Sequence, residues 1–421
     1  MEPTSKFVLS AFLVTIAPIA AAVPPTPVEQ LGKALFFDPV LSKNRNQSCA
    51  SCHDPSVGFT GPSSEVNAHG AVYPGSDPTL FGNRRPPSAA YAGDSPSLYF
   101  DADTHRFVGG MFWDGRADGG DLGDPLAEQA KGPYLNPLEQ ALASPAQLQT
   151  RVKEESSYAG LFEQVWGSGS LDASPDLVYD RIGFSVAAYE RSAEVNPFSS
   201  KFDLFWDKAS SKRLAVAAIN TGNWSRYRRL GLSDTELYGL AVFNDPARAN
   251  CASCHSLAPG SRGYPLFTDY SFHNLGVPKN PQNPFYTNLA YNPEGSAWVD
   301  RGLGGFLQST TELGKMKVPT LRNVDKRPSS GFIKAYGHNG YFKSLDDIVG
   351  FYRSRAMGCG CGGGGGMGGG RGGMGGGGMG GMMLPPPEVD ENLAQLARFS
   401  GMEQSYLVAF LRTLSDGYFQ R

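Results

Sequence analysis

Four of the six cysteines and two of the six histidines fall into two identical pentapeptides, Cys49-Ala50-Ser51-Cys52-His53 and Cys251-Ala252-Ser253-Cys254-His255. Two thiols separated by two residues can add to the two vinyl groups of a porphyrin, and the histidine that follows can ligate the iron from the proximal side. Each pentapeptide therefore reads as a covalent haem c site, with Cys49, Cys52, Cys251 and Cys254 as attachment residues and His53 and His255 as axial ligands. A zinc site fits less well because each pentapeptide supplies only three ligands. A thioredoxin-like redox pair fits less well because neither pentapeptide ends a βα unit.

Elements that would carry these sites can be read from the flanks. Before the second site, Ser233-Asp234-Thr235-Glu236 is a capping box, and Leu237, Leu240, Ala241 and Phe243 follow at roughly helical spacing. Before the first, Val28, Leu31, Leu35 and Phe36 repeat the arrangement more weakly, so the two sites look like copies of one module about 200 residues apart. Pro175 to Ser192 and Met402 to Leu414 read as amphipathic helices. Strand signals are few. The expected class is mostly α, with two cytochrome-c-like haem domains in tandem, 23–195 and 233–421, joined through 196–232.

Composition narrows the function. The chain has 421 residues, enough for two cores of ordinary size, and 37 Lys+Arg stand against 40 Asp+Glu, so no polyanion-binding surface and no nucleic-acid partner is expected. Six cysteines are too few for a disulfide scaffold of this size. Lys6 precedes an apolar run from Phe7 to Ala22 that ends in three alanines, the layout of a secretory signal over 1–22, which points to the periplasm. An uncleaved anchor is the alternative, but the run has 16 residues, against the ~20 that span a bilayer, and Pro18 interrupts it. No later segment approaches that length, so stable membrane insertion is not expected. Between Gly358 and Met383 lie 18 of the 53 glycines, five methionines, Cys359 and Cys361. This insert reads as a disordered loop; a Cu(I) site built from its thioethers and thiols is the sharper alternative.

A covalent haem says only that electrons move; chemistry depends on the far side of the iron. Here the chain resembles the bacterial di-haem cytochrome c peroxidase and MauG family. The resemblance runs from Leu31 to Gly417 outside the insert. It rests on the order of the first CxxCH, Phe112-Trp113-Asp114-Gly115-Arg116, Gln129 with Glu139, the second CxxCH, Val318-Pro319-Thr320-Leu321-Arg322-Asn323 and His338-Asn339-Gly340.

The resemblance implies that Gln129 and Glu139 lie over the open face of the N-terminal haem. Cleaving a peroxide heterolytically needs a group that takes the proton from the near oxygen and returns it to the departing one. Glu139 is the candidate, Gln129 a positioner of water or peroxide, and Pro133 and Pro137 are expected to hold the segment out of regular helix. A solvated loop glutamate is the plainer reading. Trp113 is implied as an electron relay between the haems, against core packing; Asp114 and Arg116 would make structural or propionate contacts.

Tyr352, fourteen residues after His338, falls where the family takes the distal ligand of the C-terminal haem. A cap at Ser344 with Leu345 and Ile348 on one face turns it inward. An ordinary core tyrosine, or Met316 or Met357 as the ligand, are the alternatives. A phenolate would keep that haem's potential low. His69, sixteen residues after His53, has the spacing of a distal histidine on a mobile loop in members whose peroxidatic haem closes, but a loop histidine is also often just solvated. His105 and His273 read as surface or structural. The family's interdomain calcium ion is in doubt here, because Arg85 stands two before Pro87-Ser88 where an asparagine-containing turn is expected.

The expected function is a periplasmic enzyme reducing hydrogen peroxide to water, with electrons passing from the C-terminal to the N-terminal haem and supplied by a small cytochrome c or cupredoxin. The alternative is a MauG-like enzyme whose haems share oxidising power through Trp113 and oxidise aromatic residues of a partner protein. A non-catalytic electron-transfer cytochrome is the third reading. The sequence leaves oligomeric state open, a homodimer included.

Overall fold

The computed structural model describes residues 24–356, 385–389 and 398–420. The expected signal segment, Met357 and the Gly/Met insert with Cys359 and Cys361 lie outside the described residues. Eleven helices are described: α1 Pro27–Phe37, α2 Ser64–Ala68, α3 Pro125–Leu135, α4 Pro145–Glu154, α5 Ser156–Trp166, α6 Pro175–Arg191, α7 Lys201–Ser211, α8 Asp234–Asn244, α9 Gly302–Leu307, α10 Leu345–Ala356 and α11 Gly401–Arg412. Strands are few and short. β1 Tyr99–Asp101 pairs antiparallel with β2 Arg106–Val108, and β3 Phe272–His273 with β4 Met316–Lys317. A single bridge from Val108 to Ser271 ties the two ribbons together.

The helices start where local chemistry says they should. Thr26 and Glu29 form a capping box at α1, and Ser233 and Glu236 form the expected one at α8, so side chains satisfy first-turn N–H groups that have no intrahelical acceptor. Ser344 accepts from the Asp347 N–H at 3.1 Å, as read from the sequence.

Two large apolar clusters result, beside a small one of Leu126, Ala127 and Ala187. One draws on residues 31–198 together with Leu266, the other on residues 202–414. Each is built round a helix that precedes a CxxCH and crosses a partner at a glycine. A Cβ on Gly32 of α1 would lie 1.8 Å from the Ser185 carbonyl oxygen of α6, and one on Gly239 of α8 would lie 2.0 Å from that of Tyr406 of α11. Only glycine permits either approach. The same packing device in both halves is the structural form of the repeat seen in the sequence.

The stretch 196–232, expected as the join, carries α7, which Ser200 caps, and Phe202, Phe205, Val216 and Ile219 are buried in the second cluster. One expectation needs correction: Pro133 does not keep its segment out of helix, since it lies inside α3 and only Pro137 falls beyond its end. Near a C-terminus the missing proline N–H costs one bond rather than the helix. There the chain turns back, with the Gln140 N–H donating to the Pro133 oxygen at 3.0 Å.

Between the clusters, Arg322 donates from Nη1 to Asp203 at 2.6 Å and from Nε to the Pro265 oxygen at 2.8 Å, with both charged side chains wholly buried. Removing one member of such a pair is costly because the other is left desolvated and unpaired.

Candidate functional site

Both pentapeptides adopt the same backbone. A 3₁₀ turn covers Cys49–Ser51 and Cys251–Ser253. The histidine N–H then donates to the first cysteine's oxygen, at 2.9 Å for His53 and 2.8 Å for His255. Each imidazole Nδ1 faces a backbone oxygen, Phe59 at 3.1 Å and Phe267 at 2.9 Å. A carbonyl only accepts, so Nδ1 carries the proton and Nε2 keeps its lone pair for a metal. Burial lowers the pKa of both rings, holding them neutral.

No disulfide joins the four cysteines. Burial pushes the Cys52 and Cys251 thiols up to about 12, the reverse of the low pKa of a redox-active CxxC. Partly buried thiols beside an imidazole whose Nδ1 is already bonded suit two c-type haems, each of which the cysteines and His53 or His255 would hold.

Above the first site lies the turn after α3. The Glu139 N–H donates to the Asn136 oxygen at 3.0 Å, and the Glu139 oxygen accepts from the Ser76 N–H at 2.7 Å. This fixes the carboxyl within electrostatic reach of both Cys49 and Cys52. Burial raises the pKa of Glu139, tempered by the positive charge of Arg116 and a hydrogen bond with the Asn136 side chain. Gln129 lies on α3, partly buried, and makes no hydrogen bond to Glu139.

His69 is elsewhere: exposed at the end of α2, with Nδ1 2.8 Å from the Glu65 oxygen. Two residues that the sequence did not flag line the first site instead. Gln140 points Nε2 at Cys49 Sγ, 3.8 Å away, and Gln47 points its own at Cys52 Sγ, 4.0 Å away. Both side-chain oxygens are buried without a partner. Only their adjacency to the turn and to the pentapeptide hinted at them.

The second site has Tyr352 on α10. It packs against the second cluster, and its hydroxyl lies within electrostatic reach of Cys251 and Cys254, which together with burial raises its pKa. Met316 sits on β4 opposite His273. His273 is not a surface residue: its Nε2 lies 2.9 Å from Ser271 Oγ and 3.5 Å from Cys254 Sγ. Cys254, Asp269 and His273 form the one cluster of metal-ligand type among the described residues, but it uses a cysteine of the second pentapeptide and is no separate site.

Trp113 connects the halves. It is 6% exposed, its Nε1 donates to the Arg85 oxygen at 2.9 Å, and its own carbonyl accepts from the Lys317 N–H at 2.9 Å. Its indole meets the His338 ring edge-on, with centroids 6.5 Å apart. Asp114 is held by Arg84 at 2.7 Å and Arg116 at 3.0 Å, a structural contact.

Calcium fits poorly here, since it needs six to eight oxygens. Where an asparagine turn was expected, the Arg85 guanidinium bonds the Gly337 oxygen at 2.9 Å. Lys334 Nζ gathers the carbonyls of Val57, Asn323 and Lys326 at 2.7, 2.8 and 3.1 Å. Lys343 Nζ takes those of Asn67 and Gly340 at 2.9 and 2.7 Å.

No helix among the described residues is long and apolar enough to cross a membrane. A family model described as di-haem cytochrome c peroxidase matches residues 27–211. The chain is 31% identical to the methylamine utilization protein MauG of Paracoccus denitrificans, over 96% of this chain and 95% of that protein. It is 27% identical to the cytochrome-c peroxidase IdrP2 of a Pseudomonas species, over 80% and 75%. Among solved structures, the diheme peroxidase BthA from Burkholderia thailandensis superposes with a TM-score of 0.69 at 29% identity, covering 96% of this chain and 89% of that one.

Proposed function

The chain belongs to the di-haem cytochrome c peroxidase family, a group of peroxidase-type oxidoreductases, and on that footing we propose that it reduces hydrogen peroxide to water at the N-terminal haem, with electrons arriving through the C-terminal one. The observation that carries this reading is the Glu139 carboxyl, desolvated and within reach of both cysteines of the first pentapeptide. The haems, held covalently by the four cysteines, supply the electrons; the chain's own residues manage protons and access.

Glu139 takes the proton from the near peroxide oxygen and returns it to the departing one, so that peroxide, two electrons and two protons yield two waters. Its raised pKa suits that exchange, because a group that both accepts and donates works best when its pKa approaches the ambient pH. The positive charge of Arg116 acts against that rise. Gln129, Gln47 and Gln140 offer amides for ordering water or peroxide. His69, on the surface and bonded to its own helix, supports a first site that is open in this conformation.

Tyr352 favours a second reading. A tyrosine oxygen facing the second pentapeptide is a hard donor that would hold the C-terminal haem at low potential, poorly suited to accepting electrons from a small cytochrome or cupredoxin. With Trp113 between the halves, oxidising equivalents drawn from peroxide would then be shared and spent on aromatic side chains of a partner protein. The N-terminal sequence supports export to the periplasm for either role.

Rapid mixing of the haem-loaded protein with peroxide tests the proposal. A fast optical change, followed by return to the resting spectrum when reduced donor is added, is expected. No reaction with peroxide would leave only an electron carrier. Peroxide consumption that stays slow with every small donor, while a partner protein's aromatics become oxidised, would select the second reading.

A further inference from the structure

Two arginines stand side by side between the halves, and they are treated oppositely. Arg84 is fully paired, bonding Asp300 through Nε at 2.6 Å and Asp114 through Nη1 at 2.7 Å. Arg85 has no carboxylate partner among the described residues. Its guanidinium bonds only the carbonyls of Gly337 at 2.9 Å and Pro86 at 3.1 Å. Yet it is desolvated enough that its pKa falls to about 10.

An unpaired charge out of water is expensive, and proteins normally supply it with an anion. Lys334, whose Nζ is held by the Val57 and Asn323 carbonyls, lies within repulsive reach of Arg85, and the Asp325 carboxylate acts on Lys334 rather than pairing with Arg85.

The position of Arg85 suggests what supplies the missing anion. Its charge acts on the His53 imidazole. Its N–H donates to the His338 oxygen at 2.8 Å, its carbonyl accepts from Trp113, and its guanidinium carbon lies 5.5 Å from the indole centroid. It therefore sits between the first pentapeptide, the bridging indole and the segment leading to Tyr352. Haem brings carboxylates of its own, the propionates, and they are the anions that loading would add to this region.

We propose that Arg85 is the built-in cation of the inter-haem region, pairing with a haem propionate and doing there the work that a bound divalent ion would otherwise do. The inference rests on the di-haem reading above. It makes Arg85 a positioning residue: a fixed positive charge that favours the reduced form of the nearest haem and holds the carbonyl to which Trp113 donates. It also makes the chain independent of calcium, since the cross-domain carbonyls are already occupied by Arg85, Lys334 and Lys343.

The test uses the full-length, haem-loaded protein, with two haems per chain first confirmed by mass; their absence would defeat the di-haem reading, not this one. Dialysis against EGTA, then addition of calcium, should leave the resting paramagnetic resonance spectrum and both reduction potentials unchanged, with less than stoichiometric calcium found by elemental analysis. A chelator-induced change reversed by calcium would overturn the proposal. Arg85→Gln should shift one haem to lower potential while both haems stay bound, and Arg85→Lys should restore most of that shift. Potentials identical in Arg85→Gln and the parent would also overturn it. Should Arg85→Gln fail to load haem, the chelation result and the potentials of Arg85→Lys, close to the parent if charge is what matters, decide the question.

Discussion

The indole N–H of Trp113 donates to the backbone oxygen of Arg85 at 2.9 Å, while the guanidinium of that same residue covers the indole face at 5.5 Å. One residue thus fixes both the in-plane orientation of the ring and the charge above it. The opposite contact, to the His338 ring at 6.5 Å, comes from the C-terminal half, so the indole is held from both sides of the molecule.

Replacing Trp113 by Phe keeps an aromatic ring but removes the hydrogen bond and the easily oxidised indole. The lost bond is worth about 1 kcal/mol, so folding and haem content should survive. Electron passage between the halves should slow by roughly tenfold or more, equivalent to about 1.4 kcal/mol on the barrier. Rapid-mixing spectroscopy of the half-reduced protein measures that rate; an unchanged value would leave the indole with packing alone.

Glu139→Gln should retain both haems and lose about 10²–10⁴-fold in peroxide turnover, the usual contribution of a positioned acid–base group. Because burial raises the carboxyl's pKa, the rate in the parent should climb with pH through a point above the ordinary glutamate value of about 4.3. The ionised form is the one that accepts the proton, which sets the sign. The variant's residual rate should show no such limb, and a surviving limb would assign it to another group.

How much of this was readable in the sequence depends on the range of each interaction. The pentapeptides and the Ser233–Glu236 cap are local, so spacing and residue type were enough. Arg322 and Asp203 lie 119 positions apart, and their pairing appears only once the helices are packed. Least legible were the sites built from backbone oxygens: the cages round Lys334 and Lys343 use carbonyls, which every residue carries and no sequence pattern marks. α3 was misread for a related reason, since the turn after it, not Pro133, ends the helix. His69 has the spacing of a distal ligand, but its surroundings were not legible: Lys343 Nζ and Asn280 bond its backbone oxygen at the surface.

The Tyr352 hydroxyl makes no hydrogen bond within the described protein, so Tyr352→Phe should change stability by less than about 1 kcal/mol. If that oxygen is a ligand, the optical and paramagnetic resonance spectra of the C-terminal haem should nevertheless change, and its potential should rise. Comparison of melting curves with spectra separates the two roles. An unaltered spectrum in the variant would mean that the ligand is another group.

Glu190, on α6, offers a pH dependence independent of peroxide chemistry. It is 4% exposed, its Oε2 has no partner, and burial lifts its pKa to about 8 despite the lowering effect of Arg191. The unfolded chain releases this proton near pH 4.3. Between that value and about 8 the folded state holds a proton that the unfolded state has lost, so stability should fall as pH rises through the window and level off above it. Glu190→Gln cannot ionise and should flatten that slope, gaining up to a few kcal/mol over the parent at the alkaline end. Urea unfolding of both proteins at pH 5 and pH 8 measures the difference. Parallel slopes would show that the carboxyl ionises in the folded protein, with a partner that the lone Oε2 does not reveal.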